Sequence, residues 1–181
     1  MLGGMKTFFA FLLFAQVFFA QVPTMQEELW REYDVYRDRL LQLAAKIPEA
    51  AYEWRPAPKV RSTGEVILHV ALNNYMLLER MGRPVPADLF PQLPAGPERA
   101  RAVFQRTLVL EKEIRGKEKI LAVAKRALAD GGAPIRESTA EERAKGAMFG
   151  NRQTSVGGLQ LRAVAHLHEH LGQLIAYGRS N

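Results

Sequence analysis

Apolar side chains recur every three or four residues in several stretches of this chain, and this period limits the fold more than any other feature. In residues 25–47 the series is Leu29, Tyr33, Tyr36, Leu40, Leu43 and Ile47. Such spacing puts one apolar stripe along a helix. Segments 62–81, 117–129 and 155–177 are also predicted helices, and no stretch alternates apolar and polar residues as a half-buried strand does. The sequence therefore predicts an all-α fold, a four-helix bundle with a long connection between helices 2 and 3.

Boundary residues support these helices. Ser62 and Glu65 form a capping-box pattern at the start of helix 2, and Gly82 is placed to end that helix. In the long connection, residues 83–97 contain five prolines, whereas 98–115 are compatible with a short extra helix. After helix 3, the sequence Asp130-Gly-Gly-Ala-Pro134 is expected to break or kink the chain, because glycine and proline disfavour helix interiors. Thr154 or Ser155 is expected to cap helix 4.

The N-terminal residues predict a targeting segment. Lys6 is the only charged residue before Glu27, and residues 7–20 are almost entirely apolar. This run is shorter than the about 20 residues of a membrane-spanning helix, but it fits the apolar part of a signal peptide. We therefore predict a signal peptide at residues 1–20, a mature domain at 21–181 and a periplasmic or secreted location. Phe18 occupies a position where small residues are preferred, so an uncleaved anchor is the alternative.

Composition excludes several kinds of site. The chain has no cysteine, which rules out disulfides, thiolate ligands and cysteine nucleophiles and suits an oxidising compartment. Any metal must therefore be held by histidine, carboxylate or water. The formal net charge is +6, yet the basic residues are interleaved with acidic ones and no nucleic-acid-binding motif accompanies them. We interpret them as solvated helix faces and expect no nucleic-acid partner.

Three of the four histidines fall within residues 166–170. His166 and His170 are one helical turn apart, about 6 Å along the axis, so their imidazoles are able to reach one metal ion. His168 should point away from them and be exposed. Two ligands rarely suffice for a tight site, and His69 on helix 2 is the remaining histidine that a facing helix offers. A polar helix surface that happens to be rich in histidine is the alternative.

Residues on the same helix faces are candidates for contacts with these histidines or with a substrate. Glu65 and Asn73 lie four residues either side of His69, and Gln173 shares the face of His166 and His170. Capping is the alternative role for Glu65, and an ordinary helix surface is the alternative for the other two. No catalytic residue is assigned.

Two long stretches of the sequence resemble a known family. They are STGEVILHVALNNY (62–75) and HLHEHLGQLIAY (166–177), and WRPAP (54–58) adds to the likeness. Together they resemble the DinB/YfiT-like superfamily of bacterial metal-binding four-helix bundles. The resemblance implies one histidine ligand from the second helix and two from the fourth, which correspond here to His69, His166 and His170. It also implies a divalent metal such as zinc or nickel.

Characterised members of that superfamily include thiol-dependent transferases and isomerases, and others are described as metal-dependent hydrolases. Because the predicted leader separates this chain from cytoplasmic thiol cofactors, hydrolysis of an unidentified small molecule is the favoured expectation. Thiol-dependent transfer or isomerisation, or a non-catalytic metal-binding or interaction role, is the alternative. We expect no stable membrane contact unless the leader stays uncleaved. The sequence also allows a homodimer.

Overall fold

The computed structural model describes residues 22–180, so the predicted signal peptide lies outside the described residues. The helices are α1 (Met25–Lys46), α2 (Thr63–Arg80), α3 (Arg99–Glu113), α4 (Lys117–Glu137), α5 (Ala140–Ala144) and α6 (Val156–Ser180). Short 3-10 turns occur at Glu49–Tyr52 and Gly96–Glu98, and two strands, β1 (Gly146–Phe149) and β2 (Arg152–Ser155), precede α6. None of the helices within this described range is both long and apolar enough to cross a membrane.

The four long helices pack around one core. Helix α1 contacts α4 and α6, and α2 contacts the same two helices from the opposite side. Each helix therefore has two neighbours, and the apolar stripes meet in the middle, which confirms the predicted all-α bundle. Fully buried side chains from all four helices fill this core, among them Tyr33, Leu40, Leu68, Leu72, Leu128 and Leu174.

The start of α2 is fixed by the predicted capping box. Ser62 Oγ accepts a hydrogen bond from the Glu65 backbone N–H at 3.3 Å, and Glu65 Oε2 accepts one from the Ser62 N–H at 2.9 Å. Two amides that the helix leaves without partners are thereby satisfied. This cap fixes the register of α2, the helix that carries His69.

The long connection between α2 and α4 contains the predicted extra helix. Helix α3 packs along α2, and Arg99 at its start donates to Glu79 near the end of α2 at 2.9 Å. Near the other end of α3, Glu111 is only 3 % exposed. The connection therefore places a buried carboxylate next to α2.

Helix α4 runs without a break through Asp130-Gly-Gly-Ala-Pro134, so the predicted break is wrong. Both glycines occupy close contacts between helices. A Cβ at Gly131 would lie 2.2 Å from Asn74 Oδ1, and one at Gly132 would lie 2.8 Å from the Tyr33 ring. Pro134 falls in the last turn of α4, so the hydrogen bond that it removes, to the Asp130 carbonyl, lies at the end of the helix and the preceding turns are kept. The glycines let α4 approach α2 and α1, and that packing outweighs their low helix propensity.

A two-stranded hairpin before α6 was not predicted from the sequence. Strands β1 and β2 pair antiparallel, from Gly146 opposite Ser155 to Phe149 opposite Arg152. Gly150 makes the turn at φ +63°, in the left-handed region that glycine adopts readily. Strands of four residues are too short to show a clear alternation. The predicted cap of the last helix is present, because Ser155 Oγ accepts from the Gly158 N–H at 3.1 Å.

Candidate metal centre

The structure brings together the three histidines that the sequence singled out. One ring nitrogen from each of His69, His166 and His170 lies within 4.8 Å of the others. The Nε2 atoms of His69 and His166 are 3.2 Å apart. This meeting follows from the packing of α2 against α6, which turns the one α2 histidine toward two that are a helical turn apart. Such a group could bind a metal ion.

Two of the histidines donate a hydrogen bond from their outer ring nitrogen to a side-chain oxygen. His69 Nδ1 lies 2.8 Å from Glu111 Oε1, and His170 Nδ1 lies 2.7 Å from Gln173 Oε1. A carboxylate or amide oxygen accepts only from a protonated nitrogen. These bonds therefore assign the proton to Nδ1 and leave Nε2 of both rings free as a ligand.

The third ring also has a polar partner, but of the other kind. Asn73 Nδ2 lies 3.3 Å from His166 Nδ1, the contact of an amide that donates to an unprotonated ring nitrogen. This amide offers its oxygen to a protonated Nδ1 after a half-turn about its last side-chain bond. In that orientation the Nε2 atom of each ring is unprotonated, and its lone pair is available to a divalent cation. The donor set of this site therefore fits a metal ion.

The protonation states also fit a metal ion. Burial, together with the neighbouring His170 and His69, lowers the pKa of His166 to about 3. Burial also lowers the pKa of His170, against the opposing effect of its hydrogen bond to Gln173. Both imidazoles are thus neutral at pH 7, and the neutral imidazole is the form that binds a metal.

Glu111 is a site residue that the sequence did not indicate. Its buried carboxylate accepts from His69 and, at 2.8 Å, from Arg61 Nε. Burial by itself would raise the pKa of Glu111, but the hydrogen bonds from His69 and Arg61 bring it below its ordinary value. The carboxylate is therefore ionised beside the histidine group. It lies 42 residues from His69, on a helix whose packing no local pattern indicated.

The other predicted contacts divide into two groups. Asn73 and Gln173 touch the histidines as described above, whereas Glu65 forms no hydrogen bond to any of the three within residues 22–180. Its carboxylate instead accepts from the Ser62 amide and from Lys112 Nζ at 2.9 Å. The expected contact of Glu65 with the histidines is therefore absent, and Glu65 caps α2, the alternative role that the sequence offered for it.

His168 lies outside the histidine group, as predicted. It is exposed, and its ring centroid is 4.6 Å from that of Tyr36 on α1. The helical period explains this position, because residue 168 is rotated by about 200° from residue 166.

A surface cavity adjoins the histidine group. This cavity, which we call the His166 groove, has a volume of about 190 Å³ and runs between the outer face of α6 and the hairpin. It is lined by Arg152, Gly158, Leu161, Arg162, Ala165, His166 and Glu169. Of the three converging histidines, His166 lines this cavity.

A bundle of four long helices, with three converging histidines between the second and the last, defines a class of all-α proteins with a candidate metal centre. The sequence matches the family model of the DinB superfamily over residues 32–174. The chain therefore belongs to the DinB superfamily. No protein with a curated description matches it.

Several solved structures share this fold. A conserved protein from Enterococcus faecalis has a TM-score of 0.63 at 14% identity, over 87% of this chain and 97% of that one. A DinB-like protein from Bacillus cereus ATCC 10987 has a TM-score of 0.51 at 13% identity, over 85% and 91%. A mycothiol-dependent maleylpyruvate isomerase has a TM-score of 0.60 at 12% identity, over 84% of this chain and 61% of the isomerase. At these identities the likeness is one of fold.

Proposed function

We propose that this protein is an exported metal-dependent hydrolase, in which His69, His166 and His170 hold a divalent ion, zinc or nickel. One observation carries the proposal. Each imidazole has a polar partner at its outer nitrogen, and the inner nitrogens converge. Histidine ligands of metals usually form such a hydrogen bond at the ring nitrogen that does not bind the metal, whereas histidines on an ordinary polar helix surface do not require one.

The residues around the histidines have separate tasks. Glu111 fixes the ring of His69 and supplies a negative charge next to it, while Asn73 and Gln173 orient the two rings on α6. When bound, an ion with three protein ligands keeps a coordination position for water or substrate and acts there as a Lewis acid.

Access to the site supports catalysis over storage of the ion. The His166 groove connects one ligand histidine with solvent, and the side chain of His69 is itself 21% exposed. A purely structural metal site is closed by four protein ligands. Three ligands beside an open groove instead leave room for a small molecule.

A thiol-dependent reaction is the second candidate function. The fold is similar to that of a mycothiol-dependent maleylpyruvate isomerase, although this chain covers only 61% of that protein. The predicted export favours hydrolysis, since low-molecular-weight thiol cofactors are kept in the cytoplasm. A metal-binding protein without catalysis is the remaining alternative.

Metal content and activity, measured together, test the proposal. Protein purified without added metal is assayed by elemental analysis, then chelated and reloaded with zinc or nickel. Each form is screened against ester, amide and phosphoester substrates, with and without added thiols. Hydrolysis that disappears on chelation and returns with metal supports the proposal. Turnover that requires a thiol favours the second candidate, and stoichiometric metal without turnover favours the binding role.

Two histidine variants test the ligand assignment. His170→Ala should lose nearly all bound metal, because it removes one of three protein ligands. His168→Ala is the matched control, since it changes the same residue type two positions away and should keep its metal. Equal metal loss in both variants, measured by elemental analysis, would contradict the assignment.

A further inference from the structure

Two arginines in the His166 groove have donors without partners. Arg152 comes from β2 and Arg162 from α6, and both line the cavity that His166 also lines. Both side chains are exposed. Within residues 22–180, neither forms a salt bridge or a side-chain hydrogen bond, whereas Arg61 beside the histidines pairs with Glu111. Their guanidinium groups are therefore available to a ligand.

The position of Arg162 is fixed by an aromatic ring. Its guanidinium carbon lies 3.9 Å from the centroid of the Phe149 ring on the hairpin. Stacking of this kind holds the plane of the guanidinium but leaves the N–H groups at its edge free for a carboxylate or phosphate. Arg80 helps to hold the hairpin in place, because it donates to the Met148 carbonyl at 3.2 Å.

Charge is distributed unevenly along the groove. Arg162 precedes His166 by one helical turn, about 6 Å along the axis, and Glu169 follows His166 by about 4.5 Å. The end near the hairpin is therefore positive, and the end beyond His166 carries a carboxylate. A ligand with one anionic end would bind in one orientation, with that end near the two arginines and its other part next to His166.

We propose that Arg152 and Arg162 bind a carboxylate or phosphate group of the substrate and so place its reacting bond next to His166. This inference rests on the proposed function, since it concerns the substrate of the same site. It limits the substrate to small molecules with an anionic group at one end. Glu169 disfavours a second negative charge at the other end, because like charges repel at short distance.

Titration of inorganic phosphate into the chelated protein tests the anion site without any contribution from a metal. The wild-type protein should bind phosphate saturably by calorimetry. Arg152→Gln and Arg162→Gln should each weaken that binding about tenfold, as expected for loss of a charge-assisted hydrogen bond. Arg101→Gln on α3 is the matched control, because it removes the same charge from an exposed position far from the groove and should leave binding unchanged.

The outcomes separate this inference from the proposed function. No saturable phosphate binding by the wild type, or equal weakening by Arg101→Gln, would overturn the anion site. Zinc content should be unchanged in all three variants, because none removes a ligand. If the wild-type protein binds phosphate but no zinc, the metal centre is overturned and the anion site stands. Within residues 22–180 the cations over the Phe149 ring are those of Arg80 and Arg162, so Arg152→Gln keeps this stacking and remains informative if Arg162→Gln fails to fold.

Discussion

Glu111 connects the histidine group with the positive charge of Arg61. Its two carboxylate oxygens are used separately, one for His69 Nδ1 and the other for Arg61 Nε, each at 2.8 Å. A buried carboxylate in this position both orients the ring and makes its free nitrogen more basic. At the residue scale, therefore, the strength of metal binding should depend on a side chain that does not touch the ion.

Glu111→Gln should weaken zinc binding by about 10–100-fold, the usual effect of losing such an outer contact. The amide keeps a hydrogen-bond acceptor for His69 but removes the charge. Competition with a chromophoric chelator measures the affinity. Glu113→Gln provides the control, since Glu113 lies two residues away on the same helix and pairs with Arg106 at the surface. An equal loss in both variants would show that general charge, rather than contact with His69, sets the affinity.

At the scale of elements, the start of α2 depends on an ionised carboxylate. Burial would raise the pKa of Glu65, but its bonds to Lys112 and the Ser62 amide, with Arg55 nearby, lower it below its ordinary value of 4.5. A carboxyl group whose pKa is lower in the folded state stabilises the fold above its unfolded pKa. That contribution is lost as the pH falls through the folded pKa.

Glu65→Gln should therefore be less stable than the wild type at pH 7, by about 1–2 kcal/mol, the scale of a lost cap and a charged hydrogen bond. The difference should shrink as the pH falls below 4.5 toward 2. Urea unfolding at several pH values measures it. The exposed Glu53→Gln is the control and should show little difference at any pH. A gap that stays constant down to pH 2 would contradict the assignment.

Helix α4 offers a second prediction at this scale. Gly131→Ala should destabilise the protein by about 1–3 kcal/mol, because its Cβ would lie 2.2 Å from Asn74 Oδ1. Gly172→Ala on α6 is the matched control, since no atom lies within 4 Å of a Cβ there. It should be neutral or stabilising by up to about 1 kcal/mol. Thermal unfolding compares the two variants, and a stable Gly131→Ala protein would refute the tight contact with Asn74.

The elements differ in how far the sequence predicts them. The bounds of α1, α2 and α6 follow from the apolar period and from caps such as Ser62, which are local signals. The continuity of α4 does not, because Gly131 and Gly132 are favourable only through contacts with α2 and α1. His69, His166 and His170 could be grouped from spacing and resemblance. Glu111 could not, since its contact with His69 depends on how the connecting helix packs.

At the scale of the whole molecule, export is the untested prediction. If residues 1–20 form a signal peptide, mass spectrometry of protein from the native host should find an N-terminus near Gln21 in the periplasmic or secreted fraction. A variant with Ala20→Arg should retain its leader, because signal peptidases require a small residue at that position. Intact Met1 in the cytoplasm would contradict export, and intact Met1 in a membrane fraction would favour the uncleaved anchor.

The two helices that supply the histidines are far apart in the chain, since His69 and His166 are separated by 97 positions. A bound ion is therefore a reversible cross-link that closes a long loop. Its contribution to folding grows with the concentration of free metal, reaching about 4 kcal/mol at a thousand times the dissociation constant. If the proposed ion binds, a scarcity of metal would leave more of the chain unfolded and open to proteases. The lifetime of this protein would then follow the metal supply of its surroundings.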